Sequence, residues 1–347
     1  MSDPSVSIHI VVWNSMEFLP DLLKSIMGQT YRDFNVLVID NASSDGVSEF
    51  LREKYPEVMV IRNPRNLGFS AAHNQGIRYA LDHSDPDKEK FILVTNPDIL
   101  FSDDYLKRLM AVPKDYPEVG TFGGKLMRAF GENLADEVMR ETIRSDRFDS
   151  VGLNPHKNRT VTDRGAGEMD RGQFDEMEPV FGISGALCLY RGSALEDTRY
   201  GDEFFDQDFF AYKEDVDMAW RLQHAGWGSL YIPGAVAYHY RGMYGPEKMG
   251  FWQRISNRRA KSSLRNYYST RNHWLMLVKN QRISNLLLAL PWICTYELAR
   301  FVYVAIFENG IRAMFDAIRY LPSIWAKRRA TLKGSRVRAR EIRKWFV

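Results

Sequence analysis

Polar residues of the types that bind metals and move protons follow the ends of several predicted strands. Each stretch alone is a common turn sequence, because Asn, Asp, Ser and Gly are the usual turn formers. Four such stretches at one edge of a sheet would line a single crevice with carboxylates and amides. The predicted strands are Val6–Trp13, Phe34–Asp40, Val58–Asn63 and Phe91–Thr95, and the polar stretches are WNS at 13–15, DNASSDG at 40–46, NPRNLGF at 63–69 and NPD at 96–98.

Asp98 has the clearest metal-binding chemistry of these residues. It leaves a hydrophobic strand beside Asn96, with Pro97 between them. Hard cations such as Mg²⁺ are bound through one or two carboxylates together with substrate phosphates. The alternative is a turn or helix N-cap. His239, at the end of another predicted strand, could ligate a metal or orient a phosphate, although a lone His after a strand is more often structural.

Glu214 and Asp215 begin a predicted helix that ends before Gly226. Carboxylates are favoured at a helix start by the dipole and the unpaired amides, so capping alone would explain both residues. The functional alternative is that one of them is a general base that takes a proton from an acceptor hydroxyl. Like charges nearby, including Asp217, would raise a carboxyl pKa toward the working range.

The first 110 residues predict the sheet that positions these groups. Amphipathic stretches at Phe18–Met27, Ser48–Lys54 and Ala71–Leu81 alternate with the strands, as in a parallel sheet with crossover helices. Val/Ile/Leu-rich strands favour a sheet covered on both faces, and ligands of such sheets lie at the carboxyl ends of the strands. We therefore expect an α/β fold with a Rossmann-like, mostly parallel central sheet flanked by helices.

The middle of the chain has weaker patterns. Residues 128–178 mix glycines with many charges and lack hydrophobic periodicity, so we expect a loop-rich excursion there. A strand is predicted at Pro179–Tyr190. Ser229–Tyr240 predicts two short β segments separated by Pro233-Gly234.

The net charge of +3 conceals an acidic body and a basic tail. Residues 258–347 contain 19 Lys and Arg against four acidic residues, a net +15, so residues 1–257 carry −12. Helical periodicity with Trp, Tyr and Phe anchors predicts amphipathic helices suited to an anionic membrane surface. The alternatives are a helical appendage for homo-oligomerisation or core covering, and nucleic-acid binding, which no recognised module accompanies. The apolar run Leu286–Tyr296 is shorter than the roughly 20 residues of a spanning helix and contains Pro291, which indicates a buried or interfacial helix.

Missing motifs argue against several enzyme classes. The sequence contains no HExxH, no GxSxG with placed partners and no GxxxxGK[ST], which disfavours a zincin, a serine hydrolase and a P-loop NTPase. Two cysteines cannot form a disulfide framework or a four-cysteine zinc site, so a reducing compartment is expected. The N-terminus lacks the basic and apolar regions of a secretory signal.

In their order and spacing, the motifs resemble family 2 nucleotide-sugar glycosyltransferases of the GT-A fold, most of all bacterial rhamnosyltransferases of surface-polysaccharide assembly. The resemblance covers roughly residues 6–280. It implies a GT-A domain at 1–257, with an acceptor-side excursion at 128–178, and a basic helical region at 258–347. The motifs are VVWN, DNASSDG, NPRNLGFSAAHNQG, TNPD, SGALCLYR and FFAYKEDVDMAWRLQHAGW.

The resemblance also implies roles for individual residues. Asp215, beside Glu214, matches the catalytic base, and Asp40 would pair with a pyrimidine base. The family's DxD metal motif corresponds to Asn96-Pro97-Asp98, where Asn replaces the first Asp. The implied nucleotide-sugar contacts are Val12, Trp13, Asp40, Asn66, Gly68, Phe69, Asn74 and Asn96; the metal ligands are Asp98 and His239; the acceptor contacts are Gly185 and Ala186.

The reaction implied by the resemblance is a single inverting displacement assisted by Mg²⁺ or Mn²⁺. The donor would be a dTDP- or UDP-linked sugar, with dTDP-rhamnose favoured by analogy, and the acceptor a saccharide or a polyprenyl-linked saccharide. The expected location is cytoplasmic, at the inner face of the cell membrane. Two alternatives are an inactive nucleotide-sugar-binding subunit and a sugar nucleotidyltransferase, whose Gly-rich loop is missing after the first strand.

Overall fold

Buried runs of Val, Ile and Leu form the central strands, as the sequence predicts. The computed structural model describes residues 4–133, 140–240, 263–307 and 311–347. Within three residues at each end, the predicted elements of the first 110 residues are confirmed. They are β1 Val6–Val12, α1 Leu19–Met27, β2 Phe34–Asp40, α2 Val47–Lys54, β3 Met59–Arg62, α3 Gly68–Asp82 and β4 Phe91–Thr95.

The four N-terminal strands lie side by side in the order β4-β1-β2-β3, and all are parallel. Val12 lies opposite Asp40, and Ile10 lies opposite Thr95. The carboxyl ends of these strands therefore meet at one edge, where the polar stretches follow them.

Antiparallel strands extend the sheet beyond β4, in the order β10-β12-β6-β11-β4. The β11 strand is antiparallel to both β4 and β6, whereas β12 is parallel to β6. The α/β class is thus confirmed, with the parallel pairs concentrated in the N-terminal part. The elements of this half are β5 Ile99–Phe101, α4 Tyr105–Met110, β6 Val119–Asn133, β7 Arg140–Ser150, β8 Leu153–Pro155, β9 Val161–Asp163, β10 Glu178–Val180, β11 Leu187–Arg191, α5 Gly192–Thr198, a 3-10 turn Gln207–Phe209, α6 Glu214–Ala225 and β12 Gly228–Tyr240.

Three expectations for this half need correction. The predicted strand Pro179–Tyr190 is two strands, β10 and β11, because residues 181–186 leave the sheet to approach α6. The two segments predicted in Ser229–Tyr240 are one strand, β12, whose register with β6 shifts between Ile232 and Val236, so that Pro233-Gly234 forms a bulge. Residues 128–178 contain β7, β8 and β9 and are richer in strands than expected.

The expected C-terminal helices are present and share a core with α6 and the segment before β11. They are α7 Ser263–Asn280, α8 Ile283–Phe307, α9 Ile311–Lys333 and α10 Ala339–Arg343. Trp220 of α6 and Phe181 belong to the same buried cluster as Leu275, Ile324 and Phe346. The helices are therefore packed onto the body. The expected boundary at 257/258 lies outside the described residues.

The α8 helix differs from its sequence interpretation. It continues through Pro291, and Ile283–Tyr303 is long and apolar enough to cross a membrane, with 17% of its apolar window buried. The apolar stretch is longer than the predicted run Leu286–Tyr296, and its exposure disfavours the buried one of the two predicted alternatives, whereas an interfacial helix stays a prediction. One helix that meets a length and composition test is weak evidence of a span.

Candidate active site

Asp215 lies in the first turn of α6, with its carboxylate against the loop that precedes β11. Its Oδ2 accepts a hydrogen bond from the Gly185 N–H at 3.0 Å, and its Oδ1 accepts one from the Val216 N–H at 2.8 Å. The helix begins after Lys213, which has a φ of 74°, and ends before Gly226, which has a φ of 87°. Two backbone donors thus fix a half-buried carboxylate.

The pKa values of both carboxyl groups at this helix start are raised, chiefly by burial. Burial, reinforced by the charge of Asp215, raises the pKa of Glu214 to about 8. Burial also raises the pKa of Asp215, and the hydrogen bond from Gly185 opposes this rise. Glu214 Oε2 is buried and has no hydrogen-bond partner. The pair therefore combines a carboxyl that is protonated near neutral pH with a second carboxyl of raised proton affinity, a property suited to a general base.

Gly185 allows Asp215 to approach the β11 loop. A Cβ atom at residue 185 would lie 2.9 Å from the Asp215 Cβ, which is closer than real contacts allow. The carbonyl of the next residue, Ala186, accepts a hydrogen bond from the Asn96 N–H at 2.9 Å. Gly185 thus bonds to the predicted base through its N–H, and Ala186 bonds to the NPD stretch after β4 through its carbonyl.

Asp98 and His239 lie together on the other side of this edge. Asp98 Oδ1 is 3.3 Å from His239 Nε2, and the Tyr240 N–H donates to the Asp98 carbonyl at 3.0 Å. His239 Nδ1 is 2.8 Å from Oδ2 of the buried Asp149. Burial lowers the pKa of His239, but the hydrogen bonds that its ring donates to Asp149 and Asp98 outweigh burial and raise that pKa to about 9.

This constellation fits a divalent cation that also binds substrate. Among the described residues, no three His, Cys, Asp or Glu side chains come close enough to form a metal site of their own. If a cation displaced the His239 Nε2 proton, Asp98 and His239 would provide two ligands, and diphosphate oxygens would complete the coordination. Asp149 holds the other imidazole nitrogen, the arrangement that orients metal-bound histidines.

The residues predicted to contact the nucleotide base differ in solvent exposure. The side chain of Trp13 is 55% exposed and can offer a ring face, whereas Val12 is fully buried and belongs to the core. Asp40 is buried as well. Its Oδ1 accepts from the Ser43 N–H at 2.8 Å, and its Oδ2 accepts from the Ser48 hydroxyl at 2.9 Å. Asp40 thus shapes the DNASSDG loop.

An amide network holds the NPRNLGF stretch beside this loop. Asn66 Oδ1 accepts from the Gly68 N–H at 2.8 Å, and Asn41 Nδ2 donates to the Gly68 carbonyl at 3.1 Å. Asn63 Nδ2 donates to Asn41 Oδ1 at 2.9 Å. Gly68 has a φ of 80°, and a Cβ there would lie 2.5 Å from the Phe210 carbonyl oxygen. Glycine is needed at this position by both backbone angle and space.

Asn74 and Phe69 lie in α3 and both contact Phe205. Asn74 Nδ2 donates to the Phe205 carbonyl, and Asn74 Oδ1 accepts from the Phe205 N–H, both at 2.7 Å. The Phe69 ring packs on His73 and Phe205. The structure places Asn74 in the interior, where its amide holds the Phe205 backbone, and its contact with the nucleotide sugar stays a prediction.

With this geometry established, comparison with known families is decisive. Residues 7–199 match the model of Glycosyl transferase family 2, over more than half of the chain. Residues 158–315 match that of Glycosyl transferase family group 2. The chain is a family 2 glycosyltransferase.

Relatives of this family 2 glycosyltransferase include the N-acetylglucosaminyl-diphospho-decaprenol L-rhamnosyltransferase of Mycobacterium tuberculosis. The two are 30% identical over 236 residues, 67% of this chain and 74% of the relative. Among solved structures, GalNAc-T7 with UDP, GalNAc and Mn²⁺ matches with a TM-score of 0.57 and 13% identity, covering 80% of this chain and 48% of that one. S. aureus TarS matches with a TM-score of 0.54 and 14% identity, covering 98% and 54%. The chain spans about half the length of both solved proteins, which show the fold.

Sequence reasoning missed several residues of the glycosyltransferase site. Asp149 lies in the charged stretch 128–178, where the pattern predicts no strand, and nothing in the sequence connects it to His239. Asn41 and Asn63 belong to the DNASSDG and NPRNLGF motifs. Their positions directly after β2 and β3 are the sequence feature that could have identified them.

Proposed function

We propose that this glycosyltransferase transfers rhamnose from dTDP-rhamnose to a hydroxyl of a lipid-linked saccharide, with inversion at the anomeric carbon. The observation that carries the proposal is Asp215, a half-buried carboxylate of raised pKa that is fixed by the Gly185 and Val216 amides. The mycobacterial relative supports the choice of sugar, and its name contains a diphospho-decaprenol.

In the proposed mechanism, Asp215 accepts the proton of the acceptor hydroxyl as that oxygen attacks the anomeric carbon. The carboxylate needs no covalent role, because one displacement inverts the configuration. The Gly185 N–H keeps the carboxylate oriented toward the acceptor loop. Glu214, neutral near pH 7, avoids adding a second negative charge beside the base.

The leaving diphosphate is proposed to lie on the Asp98 side. Asp98 and His239 would hold Mg²⁺ or Mn²⁺, and Asp149 would keep the His239 ring oriented. A bound cation supplies Lewis acidity that neutralises the charge of the diphosphate. Trp13 would stack on the pyrimidine, and the amide network around Asn66 would shape the phosphate-proximal turn.

The acceptor's lipid is proposed to explain the exposed faces of α8 and α9. Large apolar side chains are exposed on both helices, including Trp292 at 51% and Trp325 at 54%. Such faces with basic flanks suit an anionic membrane surface, here the inner face of the cell membrane. Flotation of the full chain with phosphatidylglycerol vesicles should decrease when Trp292 and Leu288 are changed to Ser. Equal flotation of this variant and the wild type would contradict the membrane role.

The reaction is tested with the purified chain and an N-acetylglucosaminyl-diphospho-polyprenol acceptor. We expect transfer from dTDP-rhamnose in the presence of Mn²⁺ and none after chelation. Transfer from a GDP-sugar only would overturn the pyrimidine assignment. Chelator-sensitive nucleotide binding without transfer from any dTDP-, UDP- or GDP-sugar would favour the inactive binding subunit.

A further inference from the structure

The segment that leads into the Glu214-Asp215 pair has an unusual backbone. Phe210, Tyr212 and Lys213 have φ values of 60°, 71° and 74°, although none of them is glycine. Bulky residues avoid this left-handed region, and such conformations persist when the surrounding structure enforces them. Because Lys213 is the residue before α6, the conformation of residues 208–213 sets the position of the first turn of that helix.

One support of this segment comes from α3. The Phe210 carbonyl accepts hydrogen bonds from the Phe69 N–H at 2.7 Å and the Ser70 N–H at 3.2 Å. Gly68 makes room for the Phe210 ring. These contacts hold only one carbonyl of the segment.

The second support comes from α7. Asn272 Nδ2 lies 2.7 Å from the Phe209 carbonyl, 2.8 Å from that of Ala211 and 2.7 Å from that of Tyr212. Its Oδ1 accepts from Arg271 Nε at 3.0 Å, and Arg271 Nη2 donates to the Asp208 and Phe209 carbonyls. Asn272 is fully buried. One side-chain amide thus gathers the carbonyls of the strained turn.

Buried charges fasten α7 to the body on either side of this turn. Lys279 Nζ is 2.6 Å from Asp206 Oδ2 and 2.9 Å from Asp217 Oδ2. Asn280 Nδ2 donates to Asp217 Oδ1 at 2.8 Å, and Lys327 of α9 also pairs with Asp206. Asp206 precedes the turn and Asp217 follows the base, so α7 is fixed relative to both ends of the segment that it holds.

We propose that Asn272 is a positioning residue for transfer, which sets the backbone of residues 209–213 and thereby aims Asp215 at the acceptor. This inference rests on the proposed role of Asp215. It gives part of the basic C-terminal region a function in the chemical step. A misplacement of about 1 Å at a reacting group can cost about 100-fold in rate, so loss of the amide should reduce turnover more than donor binding.

The test compares Asn272→Ala with Asn285→Ala in the full chain. Asn285 is also a buried asparagine of the C-terminal helices, and its Nδ2 donates to the Ala339 carbonyl at 2.9 Å, far from the turn in sequence and contact. We expect Asn272→Ala to lower kcat at least about tenfold with an unchanged KM for the donor, and to speed amide hydrogen exchange in residues 206–216. Asn285→Ala should do neither.

A further variant, Asn272→Ser, keeps one donor and should lie between the wild type and Asn272→Ala in both kcat and exchange; it replaces the Ala variant if that chain does not fold. Unchanged exchange in residues 206–216, or an equal loss of kcat in Asn285→Ala, would overturn the proposal. The exchange comparison needs no turnover, so it distinguishes the two failures: a wild type without transfer would refute the proposed reaction and with it the role of Asn272 in transfer, whereas unchanged exchange would refute only the positioning by Asn272.

Discussion

The candidate site has two groups of acidic residues, one around Asp98 and one around Asp215, here called the Asp98 side and the Asp215 side. They differ in how their carboxyl groups are paired. On the Asp98 side, the carboxylates of Asp98 and Asp149 are matched by the imidazole of His239, whose pKa they raise to about 9. On the Asp215 side, burial raises the pKa values of Asp215 and Glu214, and Glu214 Oε2 has no hydrogen-bond partner. The carboxylates of the Asp98 side thus surround the imidazole of His239, whereas the carboxyl groups of the Asp215 side have an increased affinity for a proton.

Aspartates at one sheet edge can thus have two chemical roles, metal binding and proton transfer, according to their surroundings. On the Asp98 side, Asp149 lies behind the imidazole and fixes its orientation. On the Asp215 side, burial favours proton uptake by the carboxylate, and the two fixed amide donors oppose it. The backbone contact between Asn96 and Ala186 keeps the two sides in one site.

The largest expected effect is that of Asp215→Asn on turnover. The amide cannot accept the hydroxyl proton, so kcat for transfer should fall about 1,000-fold, within the range of general-base catalysis. Transfer rates at saturating donor and acceptor measure this change.

A matched control for that variant is Asp202→Asn, which makes the same substitution at an exposed position whose carbonyl, not its side chain, bonds to Arg78. Its kcat should equal that of the wild type. Wild-type turnover in Asp215→Asn would remove the proton acceptor from the Asp215 side.

An intermediate effect is expected from Asp149→Asn on the Asp98 side. Loss of the carboxylate behind His239 should raise the Mn²⁺ concentration for half-maximal activity about tenfold, since such partners typically contribute 10- to 100-fold in metal affinity. The comparison variant is Asp146→Asn, on the same strand but exposed. If both variants need the same Mn²⁺ concentration as the wild type, Asp149 does not support a metal ligand.

The last expected effect concerns the free energy of unfolding rather than turnover, at Glu214. The folded-state pKa of about 8 lies above the ordinary value of 4.5, so the unfolded chain loses this proton first. The contribution of Glu214 to the free energy of unfolding is complete below pH 4.5 and is lost as pH rises toward 8, by at most about 1.4 kcal/mol per pH unit. Denaturant titrations should show a flatter pH dependence for Glu214→Gln, which stays neutral, but not for the exposed Glu53→Gln. An identical slope in the wild type and Glu214→Gln would mean that burial does not perturb Glu214.

The N-terminal half and the bounds of α6 were predictable because local signals agree there. Continuous Val, Ile and Leu runs specify β1, β2 and β4, and the acidic start and Gly226 end of α6 are visible in sequence. Asp98 was identifiable for the same reason, as a carboxylate directly after a buried strand.

The remaining features depend on contacts between distant residues. His239 reaches Asp98 because β12 pairs with β5, and Asp149 reaches His239 from a strand without clear periodicity. The left-handed backbone at Tyr212 and Lys213 depends on α7, which follows more than 50 residues later. Pro291 suggested an interruption of the apolar run, yet α8 continues through it.

Binding of dTDP with and without a chelator, measured by calorimetry on the wild type, Asp98→Asn and Asp215→Asn, tests the division of the site most directly. We expect Asp215→Asn to bind dTDP within about twofold of the wild type, because a general base is not needed for nucleotide binding. Chelation should abolish that affinity. Asp98→Asn should bind weakly, with no response to the chelator. Chelator-sensitive binding that survives in Asp98→Asn, or that disappears in Asp215→Asn, would contradict the separation of a cation side from a proton side.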